Sequence, residues 1–202
     1  MGHDGPAMLI TELDDITIRR ITNDDDAQAW RAGFVGAYQS VFSGFPYFER
    51  FYPSEAEGVY RKLLKTPGAV VLVATRGVSQ VVGFSAAYPL VHKTSVAAEL
   101  TGLVPIKHTF YLAELGVLEK YRGKGIGACM VKERVRLIDR DRFSHVVLRV
   151  SMNNNPSSEM YRAKGFEEMG VHMDVSAMRT DGRVTTDRRM FMSRVLSQVQ
   201  VD

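Results

Sequence analysis

A single cysteine, Cys129, stands in a chain of 202 residues. That excludes an internal disulfide framework and suits a reducing cytoplasm. The histidines (His3, His92, His108, His145, His172) lie far apart with no metal-ligand spacing among them, so no metal is expected. No apolar run approaches the ~20 residues of a membrane span. No signal-peptide pattern opens the chain, and the expectation is a soluble, cytoplasmic protein without a membrane partner. Internal repeats and low-complexity linkers are also lacking. A formal charge of +3 is too mild to draw the chain to nucleic acid, yet it would not oppose a polyanionic ligand.

What remains is ordinary globular material, with 45% apolar and 24% charged residues. A chain of this length can bury roughly 70% of its unfolded surface, so it needs no staple. Residues 1–10 read as a disordered start and residues 11–202 as one domain.

The pattern alternates between strand and helix. Ile16 to Ile21 resembles a first strand, and the cluster Asn23-Asp24-Asp25-Asp26 supplies helix-start chemistry for a helix from Ala27 to about Tyr38. Ser54 and Glu57 match a capping box for a second helix, which stops near Pro67-Gly68. Ala69 to Thr75 and Val81 to Tyr88 are strand-like, with turn residues around Gly77. Leu90 to Lys107 is a longer, less patterned connection. Thr109 to Leu118 is a strand, followed by a turn and a helix to about Asp139. His145 to Val150 reads as a buried strand. Pro156 to Lys164 is a short helix closed by Gly165, and two strands flank an Asp181-Gly182 turn. The order predicts a mixed α/β (α+β) chain.

The turn Arg122-Gly123-Lys124-Gly125-Ile126-Gly127 lies between a strand and a helix. Glycines at alternate positions leave its amides unshielded, so they can close on phosphate oxygens at the positive end of the helix. Arg122 and Lys124 add charge for the same ligand. A Walker loop would need Gly-Lys-Ser or Gly-Lys-Thr, and none is present. A dinucleotide fingerprint would need Gly-x-Gly-x-x-Gly near the first strand, whereas this turn lies past the midpoint with another spacing.

Arg122-x-x-Gly125-x-Gly127, after a strand ending Leu115-Gly116-Val117, resembles the acetyl-CoA signature of the GNAT acetyltransferase superfamily. Asn154-x-x-Ser157-x-x-Met160-Tyr161, closed by Gly165-Phe166, resembles that family's next motif. The two cover roughly Tyr111 to Phe166. Glu119 departs from the common proline and Ser157 from the common alanine. The resemblance implies a GNAT fold: a mixed, mostly antiparallel, splayed sheet of six or seven strands with helices on both faces. It implies acetyl-CoA as co-substrate and direct transfer of the acetyl group to an amine. The expected acceptor is a small molecule; the alternatives are a protein N-terminus or lysine, or a catalytically silent acyl-CoA-binding module. Members often pair as dimers, but nothing in the sequence fixes the oligomeric state.

The resemblance also distributes roles. The diphosphate would lie on the amides of Arg122 to Gly127, and the pantetheine would run along Leu115 to Val117 like an added strand. A bulge in that strand would open a slot, with the Val117 amide aimed at the thioester carbonyl. Tyr161 would serve the departing sulfur, and Asn154 would bond the pantetheine or cap a helix. The resemblance fixes no base. From its place on the central strand Glu114 is the candidate, directly or through water, for taking the acceptor ammonium's proton, with a structural or surface glutamate as the alternative. On a regular strand Glu114 and Val117 face opposite sides, so a bulge would have to re-aim one of them. Aromatic residues between Tyr38 and Tyr52 pack a core or shape an acceptor pocket. Arg134, Arg136, Arg140 and Arg142 are interleaved with acids and read as a solvated face. Cys129 reads as a small buried hydrophobe.

Overall fold

Alternation of buried side chains along the middle strands produces two apolar faces, and a sheet with two apolar faces must be covered on both. The computed structural model describes residues 8–77, 79–153 and 156–196. Its strands are β1 Met8–Leu13, β2 Ile16–Arg20, β3 Val70–Arg76, β4 Gln80–Pro89, β5 Thr109–Val117, β6 His145–Ser151, β7 Glu167–Met178 and β8 Val184–Val195. They form one eight-stranded sheet in the order β1-β2-β3-β4-β5-β6-β8-β7. All neighbours are antiparallel except β5 and β6. No described helix is long and apolar enough to cross a membrane.

The helices are α1 Asp24–Ser43, α2 Pro53–Lys65, α3 Thr94–Glu99, α4 Ile126–Arg136 and α5 Pro156–Arg162. On one face Val71, Val73, Phe84, Ala86, Tyr111 and Val147 meet Phe34, Tyr38 and Val41 of α1 and Tyr60 and Leu63 of α2. On the other, Leu72, Val82, Leu112, Leu148 and Val150 meet Ile126, Met130 and Val135 of α4 and Tyr161 of α5.

Most of the expected elements are present, with specific differences. Six or seven strands were expected and eight form. The additional strand is β1, which folds back on β2 so that Leu13 pairs with Ile16. Ile10 and Leu13 pack on the core, so Met8–Ile10 belong to the sheet and not to a disordered start; residues 1–7 lie outside the described ones. Helix α1 starts where the acidic cluster predicts, with Asp26 N–H donating to Asn23 Oδ1 at 2.8 Å. It then runs on to Ser43. The glutamate half of the expected capping box is set two residues earlier than the Ser54–Glu57 expectation, with no side-chain bond from the N-cap residue. Pro53 takes the first helical position, and Tyr52 N–H donates to Glu55 Oε2 at 2.7 Å. The connection from Leu90 to Lys107 contains α3, whose Val96 is fully buried.

Candidate active site

Strands β5 and β6 pair only from Thr109↔His145 to Leu112↔Leu148, and beyond that point they part. The cause is visible on the other side of β5. Ala86 of β4 pairs with Glu114 and Ala87 with Leu112, so Ala113 is an inserted residue. Without the insertion Glu114 would share the face of Leu112, towards α4. With it, Glu114 lies opposite Ala86 on the α1 face, where Tyr38 Oη–H reaches its Oε2 at 3.5 Å.

Past the bulge the strand is regular again, and Leu118 N–H donates to Val82 O at 2.9 Å. Alternation along an extended strand then turns the amides of Leu115 and Val117 to the opposite edge, into the gap left by β6. Amide direction lies in the plane of the sheet. The opposite faces of Glu114 and Val117 are therefore no obstacle to serving one reaction centre.

An arginine holds the bulge. Arg134 of α4 is fully buried, and its Nη1 donates to Ala86 O at 2.9 Å and to Glu114 O at 2.7 Å. Its Nη2 lies 3.5 Å from Tyr161 Oη. The solvated-face reading therefore fails for this residue. Arg134 continues the apolar stripe of Ile126 and Met130 at four-residue intervals, and that spacing was the signal available in the sequence.

Two cavities of about 390 Å³ each open from the gap. The first follows the glycine turn: Leu115, Gly116 and Val117 on one wall, and Arg122, Gly123, Gly125, Ile126 and Gly127 on the other. Gly125 takes φ +78 at the N-cap of α4, a conformation that favours glycine, and as a glycine it brings no side-chain cap. The first intrahelical bond here is Cys129 N–H to Gly125 O, which leaves the preceding amides without intrahelical acceptors. A Cβ on Gly123 would meet nothing within 4 Å. This open row of donors at a helix start fits a diphosphate.

Not every residue of the turn faces that groove. Lys124 is absent from its wall, with Nζ lying 5.5 Å from the ring centre of Tyr121. Arg122 Nε donates to Val117 O at 3.0 Å and its Nη1 to Phe45 O at 3.2 Å. Its guanidinium thus ties the strand end to the loop after α1. Asn154 lies outside the described residues. Cys129 is half-buried on α4, and burial, with Glu133 nearby, pushes its thiol up from the ordinary value, against nucleophilic use.

The second cavity carries the titratable groups, with Glu114, Arg149, Tyr161, Glu49 and Arg189 on its wall beside Tyr38, Phe42 and Phe51. Both cavities share Tyr47, Leu115 and Ser157, so they meet at the parting strands. Burial pushes the Glu114 carboxyl up to about 7, against the pull of Arg149, Lys93 and Arg189. Burial also raises the Tyr161 phenol, with Arg134 opposing.

A roof closes this side. The loop after α1 and the tip of the β7–β8 hairpin are joined by a Glu49↔Arg179 bridge, with Arg50 N–H to Met178 O at 2.9 Å and Thr180 N–H to Phe48 O at 2.8 Å. Beneath it Glu49 accepts from Arg189 at 2.6 Å, and Asp187 holds the same guanidinium at 2.9 Å. Sequence reasoning found Glu114 and Tyr161 but not Glu49, Arg149 or Arg189. Of these, Arg149 had a signal, as a charge inside the apolar run His145 to Val150.

The profile of the acetyltransferase (GNAT) family matches residues 34–166 of the 202. The chain belongs to that family. GNAT structures share its fold over nearly the whole length. One is a phosphinothricin acetyltransferase from Sinorhizobium meliloti in complex with AcCoA, with TM-score 0.65, 23% identity, and coverage of 93% of this chain and 92% of that one. Another is a ribosomal-protein-alanine N-acetyltransferase from Brucella melitensis, with TM-score 0.63, 23% identity, and coverage of 89% and 99%. A probable N-acetyltransferase, san, from Drosophila melanogaster is 38% identical over 58 residues. That stretch is 28% of this chain and spans only 32% of the length of the fly protein.

Proposed function

We propose that this GNAT protein transfers the acetyl group of acetyl-CoA directly to the primary amine of a small molecule. The observation that carries the reading is the meeting of two cavities at the parted strands. One is lined by helix-start amides without intrahelical acceptors and the other by a carboxyl group raised to about 7.

Acetyl-CoA supplies an acyl group activated as a thioester, and the chain supplies position and proton handling. The amides at the start of α4 receive the diphosphate, and the β5 edge from Leu115 to Val117 receives the pantetheine as an added strand. The Val117 N–H in the gap donates to the thioester carbonyl as charge develops on its oxygen. The acceptor enters as an ammonium and must shed a proton before its nitrogen can attack. Glu114 takes that proton, a role for which a carboxyl group near 7 is poised at neutral pH. A C–N bond forms and the C–S bond breaks. Of the two protons lost by the ammonium, one leaves through Glu114 to solvent and one ends on the thiol.

Tyr161 stabilises the departing sulfur by hydrogen bonding. Its phenol lies above its ordinary value, so complete proton transfer to a thiolate near 8.5 would be uphill by more than about 1.5 units. The bond from Arg134 occupies the phenolic oxygen and leaves the O–H to point elsewhere.

A small acceptor is favoured over a polypeptide because the roof strap is bonded to the hairpin tip through backbone groups. A peptide running through the site would need that seam open. The single thiol suits a cytoplasmic setting. The test is thiol release from acetyl-CoA by the purified protein with pooled primary amines. Release that depends on both amine and Glu114 supports the reading, and release independent of amine contradicts it.

A further inference from the structure

The second cavity contains more charge than proton transfer requires. Glu114 stands just past the last β5–β6 pair, and the Ala113 insertion puts it on the α1 face. Arg149 follows Leu148 on β6, and alternation puts it on the same face as Val147. The two residues therefore project from opposite arms of the opening between the strands, both onto the cavity wall.

Their surroundings differ from those of the other charged residues there. Arg189 is neutralised by Glu49 and Asp187. Glu49 is shared between Arg179 and Arg189. Glu55 accepts from the Tyr52 amide, and Arg50 is exposed over the Tyr52 ring. Among the described residues, the partners of Arg149 are soft or neutral: Met173 Sδ at 3.2 Å and the Tyr111 phenol. Among the described residues it forms no ion pair, not even with Glu114 across the gap, although each acts on the other through space. Lys93, half-buried nearby, adds a second positive charge on the same side.

A partly buried guanidinium without a carboxylate is costly, and its forked donors match a carboxylate in two parallel bonds. A carboxyl and a guanidinium on opposite arms of a gap, neither in an ion pair among the described residues, form the complement of a zwitterion. From this, and resting on the acetyl-transfer reading above, we propose that Arg149 is an anion-binding, specificity-determining residue. The acceptor is then an α-amino acid, with its ammonium at Glu114 and its carboxylate at Arg149. An aromatic part of the remaining wall (Tyr38, Phe42, Phe51) would receive the side chain.

The test uses the full-length protein with acetyl-CoA and reads thiol release. The acceptors are the common L-amino acids, each as free acid and as its α-amide. At least one free acid is expected to exceed its own amide in kcat/KM by about 10- to 100-fold, the range for hydrogen bonds to a charged group. In Arg149→Met that ratio falls towards one through a rise in KM for the free acid, while KM for acetyl-CoA holds. Arg149→Lys keeps part of the preference. The proposal is overturned if the wild-type protein acetylates amides as well as acids. It is equally overturned if Arg149→Met keeps the preference, or if acetyl-CoA binds and no free acid is acetylated. Failure of acetyl-CoA to bind at all is a separate result, because it removes the acetyl-transfer reading itself.

Discussion

A carboxyl group buried beside cations is pulled in opposite directions. At Glu114 burial outweighs Arg149, Lys93 and Arg189, leaving the group titrating near 7. Two consequences follow at this residue. As the proposed base Glu114 must be ionised, so kcat/KM rises with pH through an apparent pKa near 7. Glu114→Gln removes that limb and lowers kcat/KM at pH 8 by about 100-fold or more, measured as a pH–rate profile. Stability runs the other way. Between about 4.5, the ordinary value, and about 7 the folded protein holds a proton that the unfolded chain releases. Stability from this group therefore falls as pH rises through that window. Melting curves should show Glu114→Gln gaining on the wild type as pH goes from 5 to 8. For Tyr161, whose proposed part is a hydrogen bond to the departing sulfur, Tyr161→Phe should cut kcat by about 10- to 100-fold. The affinity for acetyl-CoA, read by calorimetry, should be unchanged.

At the scale of elements the decisive feature is the inserted Ala113 and the helix that secures it. Arg134 reaches from α4 to the carbonyls of Ala86 and Glu114 and on to Tyr161. One side chain thus links the bulge, Glu114 and Tyr161. Arg134→Met would leave buried carbonyls without donors, at a cost of about 2–4 kcal/mol. The melting temperature should drop by about 5–15 °C, measured by calorimetry. Legibility in the sequence divides along the same line. The glycine turn and the Asn23 cap act through neighbours a few residues away, so their chemistry can be read from spacing. The position of the bulge cannot, because it depends on how β5 pairs with β4, a contact between distant segments. Arg134 and Arg149 were hidden for a related reason. Each sits in an apolar pattern that predicts burial, while its charge predicts exposure, and only the carbonyls or the cavity around it resolve the conflict. The β1 strand was missed because a short, half-exposed edge strand has little periodicity of its own.

For the whole molecule, the order of strands and helices was readable because the chain alternates strongly between periods of two and 3.6. The eight-stranded sheet with α1 and α2 on one face and α4 and α5 on the other follows from burying both apolar faces. The fold positions the chemistry by failing to close. Strands β5 and β6 part after Leu112↔Leu148, and the gap joins a groove of backbone donors to a roofed pocket of charged side chains. Everything proposed for the molecule depends on what enters that groove. The direct test is a series of thermal melts with acetyl-CoA, CoA, NAD and ATP at matched concentrations. At about 100 times the dissociation constant a ligand adds about 2.7 kcal/mol, which for a chain of this size raises the melting temperature by roughly 5–10 °C. The account predicts that shift with acetyl-CoA and CoA and none with NAD or ATP; no shift with either CoA species would contradict it.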